Sequence, residues 1–247
     1  MPTRDTILLS KGRYQARLGQ SDDDLIRAQN LRGLCFRRDG VDQDSYDPGC
    51  VHVLVEERVT GRLVCCFRML MLQNGADVPH SYSAQFYDLT ALFGFPGSMV
   101  ELGRFCIHPD HADADILRVA WGAMTQFVDQ HGVEMLFGCS SFVGTQADQY
   151  LDVFAVLKHR HLAPERWLPR IKAPDVFRFA AQVRRPPDSQ KALQKMPPLL
   201  RTYLLMGGWV SDHAVVDQQM NTLHVFTGLE INAIPPARKR LLRAVAG

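Results

Sequence analysis

No run of about 18 consecutive apolar residues, the length that crosses a bilayer, occurs in the 247-residue chain. The first residues, MPTRDTILLSKGRYQARLG, lack the long apolar centre and small-residue cleavage site of a signal peptide. The six cysteines, at 35, 50, 65, 66, 106 and 139, show no C-x-x-C spacing. Four of them, Cys65, Cys66, Cys106 and Cys139, sit in apolar runs, where cysteine acts as a small hydrophobe. These absences argue against a spanning segment, a disulfide framework and structural zinc, and the expected compartment is the reducing cytoplasm. A net charge of only +2 and the lack of a groove-reading motif argue against nucleic acid. The run Lys158-His159-Arg160-His161 sets its histidines among cations, which opposes a metal, so no metal site is expected. There is no internal repeat.

What is present is a globular composition, 46% hydrophobic and 22% charged. It suits one domain over residues 1–235 followed by a short basic amphipathic tail, 236–247. The spacing predicts a strand at Tyr14–Leu18 and a helix capped by Ser21, running to about Arg38 and ended by Arg37, Arg38 and Asp39. A polar loop with Asp42, Asp44 and Asp47 leads to a hairpin, Val51–Glu57 and 62–72. A long connection, 73–98, follows. Further elements are a strand at 99–109, a helix from Asp113 or Asp115 to His131 stopped by Gly132, a strand at 133–139 and a helix at 148–161. A basic segment, 158–195, then precedes a helix that Pro197-Pro198 starts and that runs through Leu205, ended by Gly207-Gly208, and strands at Trp209–Asp217 and 222–226. This order predicts a mixed α/β fold.

Three arginines stand where arginine is costly. Arg32 shares the inward face of the first helix with Phe36, four residues on. Arg68 interrupts a strand that is otherwise apolar on both faces, with Asp44, Asp47 and Glu101 as possible partners. In MVELGRFCIHP, 99–109, Glu101 and Arg104 would point to opposite faces under strict alternation, and a bulge at Gly103 would bring them onto one. Charged groups inside an apolar sheet must be paired or form a site.

The element order and this bulged strand resemble the GNAT acyltransferase superfamily. That resemblance implies a mostly antiparallel central sheet flanked by helices. Arg32 and Phe36, Asp44-x-x-Asp47, Arg68 and Glu101-x-x-Arg104 resemble the signature of acyl-homoserine-lactone synthases. Downstream, LFGCSSF (136–142), HLAPE (161–165), MPPLLRTYLLMGGWV (196–210) and VVDQQMNT (215–222) are similar to ornithine lipid synthases, L-ornithine Nα-acyltransferases. One departure concerns the donor. Members that use acyl-CoA carry a glycine-rich loop after the bulged strand, whereas 108–115 here reads HPDHADAD, without glycine and with three acids. Those carboxylates would repel a pyrophosphate. The expected donor is therefore the phosphopantetheine arm of acyl carrier protein, with no cofactor bound.

The resemblance implies an enzyme that moves a 3-hydroxyacyl chain to the α-amine of ornithine, with lysine or glutamine as other acceptors. An acyl-homoserine-lactone synthase, or a GNAT-like binding module without catalysis, are the alternatives. For the chemistry, Glu101 is the candidate base, and Arg104 and Arg68 match the acceptor's α-carboxylate. Amides near Gly103 and Arg104 would hold the thioester oxygen. Arg32, Asp44 and Asp47 would order the loop and meet the acceptor's distal amine. Cys106 as a nucleophile has no obvious base beside it. Lys158, Arg160, Arg166 and Arg170 form a basic surface suited to an acidic carrier protein. The tail, with Arg238, Lys239, Arg240 and Arg243 beside Leu241 and Leu242, suits peripheral contact with an anionic membrane.

Overall fold

The computed structural model describes residues 6–36, 40–111 and 113–246; Arg37, Arg38 and Asp39, expected to end the first helix, lie outside the described residues. In chain order the elements are β1 (Ile7–Lys11), β2 (Tyr14–Leu18), α1 (Asp22–Phe36), β3 (Val51–Glu57), β4 (Leu63–Leu72), β5 (Tyr87–Asp88) and β6 (Met99–Ile107). There follow α2 (Ala114–His131), β7 (Met135–Val143), α3 (Leu151–Arg160), β8 (Arg170–Ile171), β9 (Val176–Phe177), α4 (Phe179–Gln182), α5 (Ser189–Lys195) and α6 (Pro198–Leu205). The chain closes with β10 (Trp209–Asp217), β11 (Thr222–Glu230) and α7 (Pro236–Ala246). This is the expected mixed α/β fold, a mostly antiparallel sheet flanked by helices. The chain forms two compact units: Met1–Met71, Leu102–Val133 and Pro236–Gly247 make the first, Leu72–Glu101 and Glu134–Pro235 the second.

In the first unit the strand order is β1-β2-β3-β4-β6. β4 holds a central place covered on both faces, with Val64 through Met69 all buried. α1 starts where Ser21 Oγ accepts from the Asp24 amide (3.2 Å) and buries Ala28, Leu31 and Arg32. Ala28 and Leu31 pack with Cys66 and Cys106 from the sheet. α2 is capped by Asp113, whose side chain accepts from the Asp115 amide, and it ends at Gly132, where φ is +59° and a side chain would be strained. α7 packs on α2, with Arg243 bound to Asp129 at 3.1 Å.

The second unit orders its strands β7-β11-β10-β9. β7 and β11 pair in unbroken antiparallel register from Val143↔Thr222 to Met135↔Glu230. Helices α3 to α6 close its core, where Phe154 stacks on Phe179 with ring centroids 5.0 Å apart. A Cβ at Gly208 would lie 2.7 Å from the Tyr203 carbonyl oxygen, so only glycine lets α6 turn directly into β10.

The sequence reading placed most elements and missed some ends. β1 was not expected; it forms a hairpin with β2 around Gly12, at φ +58°, and no Asn-Gly or Asp-Gly pair marks that turn. β7 runs on through Ser140 to Val143 because Ser141 and Val143 face solvent and alternate with buried Ser140 and Phe142. Polar outward residues there mimic a loop. β11 likewise continues past Phe226 to Glu230.

Candidate functional site

In the first unit, the loop between α1 and β3 folds its three aspartates onto three arginines. Arg32 Nε donates to Asp42 Oδ2 at 2.8 Å and its Nη1 to Asp47 Oδ1 at 2.7 Å. Arg68 on β4 binds Asp44 with both Nη atoms, at 2.5 and 2.8 Å, and Nη1 also reaches Asp47 Oδ1. Arg104 on β6 donates to Asp42 Oδ2 and Asp44 Oδ2, each at 3.0 Å. Gln29 adds a 3.0 Å bond to Asp47. The loop is locally set for this: Asp44 Oδ1 accepts from the Tyr46 amide, and Asp47-Pro48-Gly49 forms a single 3-10 turn.

Three positive and three negative charges therefore cancel inside the unit. Arg32 is 1% exposed and Asp42 0%, so each ion depends on its partners. Burial pushes the Asp47 carboxyl up, but the Arg32 and Gln29 hydrogen bonds and the Arg32 charge overcome this and hold it well below its ordinary value. Asp44 is lowered for the same reason, burial being outweighed by Arg68 and Arg104. At 21% exposure, the Asp44 side chain is the most accessible of the six.

A left-handed backbone falls one residue beyond Gly103, where the bulge was expected. Arg104 itself has φ +51°, a left-handed conformation that costs an ordinary residue about 1–2 kcal/mol. A Cβ at Gly103 would stand 3.5 Å from Arg68 Nε, an ordinary van der Waals contact. Two ion pairs hold Arg104 in this conformation.

Glu101 belongs to the second unit and is 4% exposed. A 3-10 turn, Ser83–Gln85, directs donors at its carboxylate. Tyr82 N donates to Oε2 at 2.7 Å, Ser83 N to Oε1 at 2.7 Å and Ser83 Oγ to Oε1 at 2.6 Å. These donors suit an anionic carboxylate. The same segment is fastened further along: Lys172 Nζ donates to the Ala84 carbonyl at 2.6 Å, Ala173 N to the Phe86 carbonyl, and β5 pairs with β8.

Of the basic residues expected to meet a carrier protein, Arg160, Arg166 and Arg170 are exposed in the second unit. Arg166 lies over the Trp167 ring and faces Glu230, while Lys158 is turned back onto the Val183 carbonyl at 2.8 Å. The Cys106 thiol is held far above its ordinary pKa: a hydrogen bond with Cys35 lowers it, and the Cys66 hydrogen bond and burial raise it by more.

Sequence reasoning brought Arg32, Asp44, Asp47, Arg68 and Arg104 to one place, and the structure joins them. It underrated Asp42, whose signal was the D-x-D-x-x-D spacing, and it missed Ser83 and Tyr82. Backbone amides leave no signature in a sequence. Among the described residues no His, Cys, Asp or Glu cluster is arranged for a metal, and no helix is long and apolar enough to cross a membrane.

The family described as Acetyltransferase (GNAT) domain matches residues 29–122, which carry both the arginine–aspartate network and Glu101. The match and the mixed α/β fold are those of the GNAT class. Relatives narrow the class. The Rhodobacter capsulatus protein named L-ornithine N(alpha)-acyltransferase is 32% identical over 238 residues, covering 90% of this chain and 91% of the relative. Its namesake from Agrobacterium fabrum is 27% identical over 90% of this chain and 83% of the relative. The chain belongs to the L-ornithine N(alpha)-acyltransferase family. Among solved structures, an N-acyl amino acid synthase from uncultured soil microbes aligns over 95% of this chain and 97% of its own, at 10% identity and a TM-score of 0.49.

Proposed function

We propose that this chain transfers a 3-hydroxyacyl group from acyl carrier protein to the α-amine of ornithine, making the lyso-lipid that begins ornithine lipid biosynthesis. Kinship to a full-length relative of that name carries the acceptor assignment. The donor assignment rests on α2. Its N-terminus, where a phosphate would gain most from free amides, is occupied by the Asp113 carboxylate, with Asp110 and Asp115 beside it in sequence. A pyrophosphate would have to displace a carboxylate among like charges. A pantetheine arm delivered by a protein needs no such site.

In this reading Glu101 takes the proton from the α-ammonium, leaving the lone pair that attacks the thioester carbonyl. Amides near Gly103 and Arg104 hold the oxyanion as it forms. The carbon–sulfur bond then breaks, the sulfur takes the second proton from the attacking nitrogen and leaves as the pantetheine thiol, and an amide remains while Glu101 returns its proton to solvent. Arg104 and Arg68 receive the α-carboxylate, a planar anion that matches a guanidinium fork in place of Asp44. Asp44, with Arg32 and Asp47 behind it, is the anion for the distal ammonium. Arg160, Arg166 and Arg170 mark the face for the acidic carrier, without Lys158, which is turned back onto Val183, and the enzyme works in the cytoplasm at the membrane's inner face.

The test is a donor and acceptor matrix. The purified protein is given acyl carrier protein or coenzyme A loaded with the same 3-hydroxyacyl chain, and ornithine, lysine or glutamine, with free thiol and product mass as readouts. The expected winner is the carrier with ornithine, and its rate should fall as salt rises. Equal kcat/KM for the two donors rejects the carrier assignment, and a preference for lysine or glutamine rejects ornithine.

A further inference from the structure

Ser83 contributes two of the donors on Glu101, and nothing in its own chemistry explains its burial. It is 0% exposed on a turn that an alanine could adopt. Its hydroxyl has one proton, and the 2.6 Å bond to Glu101 Oε1 uses it. The Cys139 thiol, 3.4 Å from Ser83 Oγ, must then be the donor in that contact. The hydroxyl is thus fixed from both sides, by β7 and by the carboxylate. Behind it, the Lys172 bond to the Ala84 carbonyl and the β5–β8 pairing fasten the turn. A carboxylate on a flexible two-carbon stem has rotamers to lose, and this turn removes that freedom.

We infer that Ser83 is a positioning residue for catalysis, whose hydroxyl and amide set the orientation in which the Glu101 carboxylate meets the acceptor amine. The inference rests on Glu101 being the base. Ser83 neither exchanges a proton with substrate nor touches it; it acts through Glu101. A misoriented base costs rate without weakening the binding of either substrate.

The test is a double-mutant cycle on the full chain with its own substrates. Ser83→Ala should lower kcat by about 10–100-fold, the scale for losing a group that orients a reacting one, with both KM values within about twofold. In a Glu101→Gln background the same substitution should change kcat by less than about twofold, because there is no longer a base to orient. Ser83→Cys, which keeps the shape and a weaker donor, should fall between wild type and Ser83→Ala, and it carries the same cycle if the alanine variant does not fold. An equal loss in both backgrounds makes Ser83 merely structural and overturns the inference, as does a near-wild-type Ser83→Ala. If Glu101→Gln alone keeps near-wild-type turnover, the base assignment itself fails and the inference falls with it.

Discussion

Arg68 clasps Asp44 through two parallel hydrogen bonds, Nη1 to Oδ1 at 2.5 Å and Nη2 to Oδ2 at 2.8 Å. The fork that would grip a substrate carboxylate is already closed on an internal one. Under the proposed function, an acceptor carboxylate would compete with Asp44 rather than with water, which would couple binding to loop order through this pair.

The depth of the network sets its contribution to stability. Asp42 accepts from Arg32 and Arg104 at full burial, so Asp42→Ala strands two buried guanidinium bonds. The expected loss is about 3–5 kcal/mol by urea denaturation, the usual result of removing one partner from a buried ion pair. Asp44→Ala, at a more exposed site, should cost clearly less. Equal stability of Asp42→Ala and wild type would show that the network is not built as described.

Glu101→Gln keeps the shape of the side chain and removes its charge. Turnover should fall about 10²–10⁴-fold with donor binding nearly intact, and the defect should shrink as pH rises and more acceptor amine is free. Titration of the apo protein with unreactive carrier separates the two quantities. Near-wild-type turnover would remove Glu101 from the role.

The second unit has a pH-dependent stability written into His224. Burial lowers its pKa from 6.5 to about 4, partly countered by Asp217 and reinforced by His213. Above 6.5 the imidazole is neutral in both states and nothing is gained or lost. As pH falls from 6.5 to about 4 the unfolded chain takes up the proton and the folded one does not, so stability declines through that window. His224→Gln should flatten the curve of Tm against pH there. An unchanged slope would place the titration elsewhere.

The tail is a helix with divided duties. Arg243 is bound to Asp129 and Lys11 reaches the Ala244 carbonyl, so α7 has a fixed seat in the first unit. Arg238 and Arg240 are exposed and Lys239 is half-buried. Near anionic headgroups each cation contributes roughly 1 kcal/mol, fading within a Debye length. Full-length protein should co-sediment with anionic but not zwitterionic vesicles at low salt. Replacing Arg238, Lys239 and Arg240 by glutamine should abolish this while leaving activity on soluble substrates. Persistent co-sedimentation of the triple variant would assign any membrane contact to another surface, such as the basic 158–195 segment.

The sequence by itself determined the elements whose signals are local. Periodicity placed α1, β3, β4 and α2, Ser21 and Asp113 capped helices as their chemistry requires, and Gly132 stopped α2. It also determined that Arg32, Arg68 and Arg104 needed partners, because a buried guanidinium is costly alone whatever the fold. Only the tertiary structure decided who those partners are. Asp44 and Asp47 satisfy Arg68, Asp42 serves two arginines at once, and Glu101 is held by the Tyr82–Ser83 turn. The left-handed backbone falls on Arg104 rather than on Gly103, since two ion pairs can outweigh a local conformational preference. Partner choice depends on contacts between residues distant in sequence, and backbone donors such as the Ser83 amide are the same in every residue except proline. Neither property is encoded at the position where it acts.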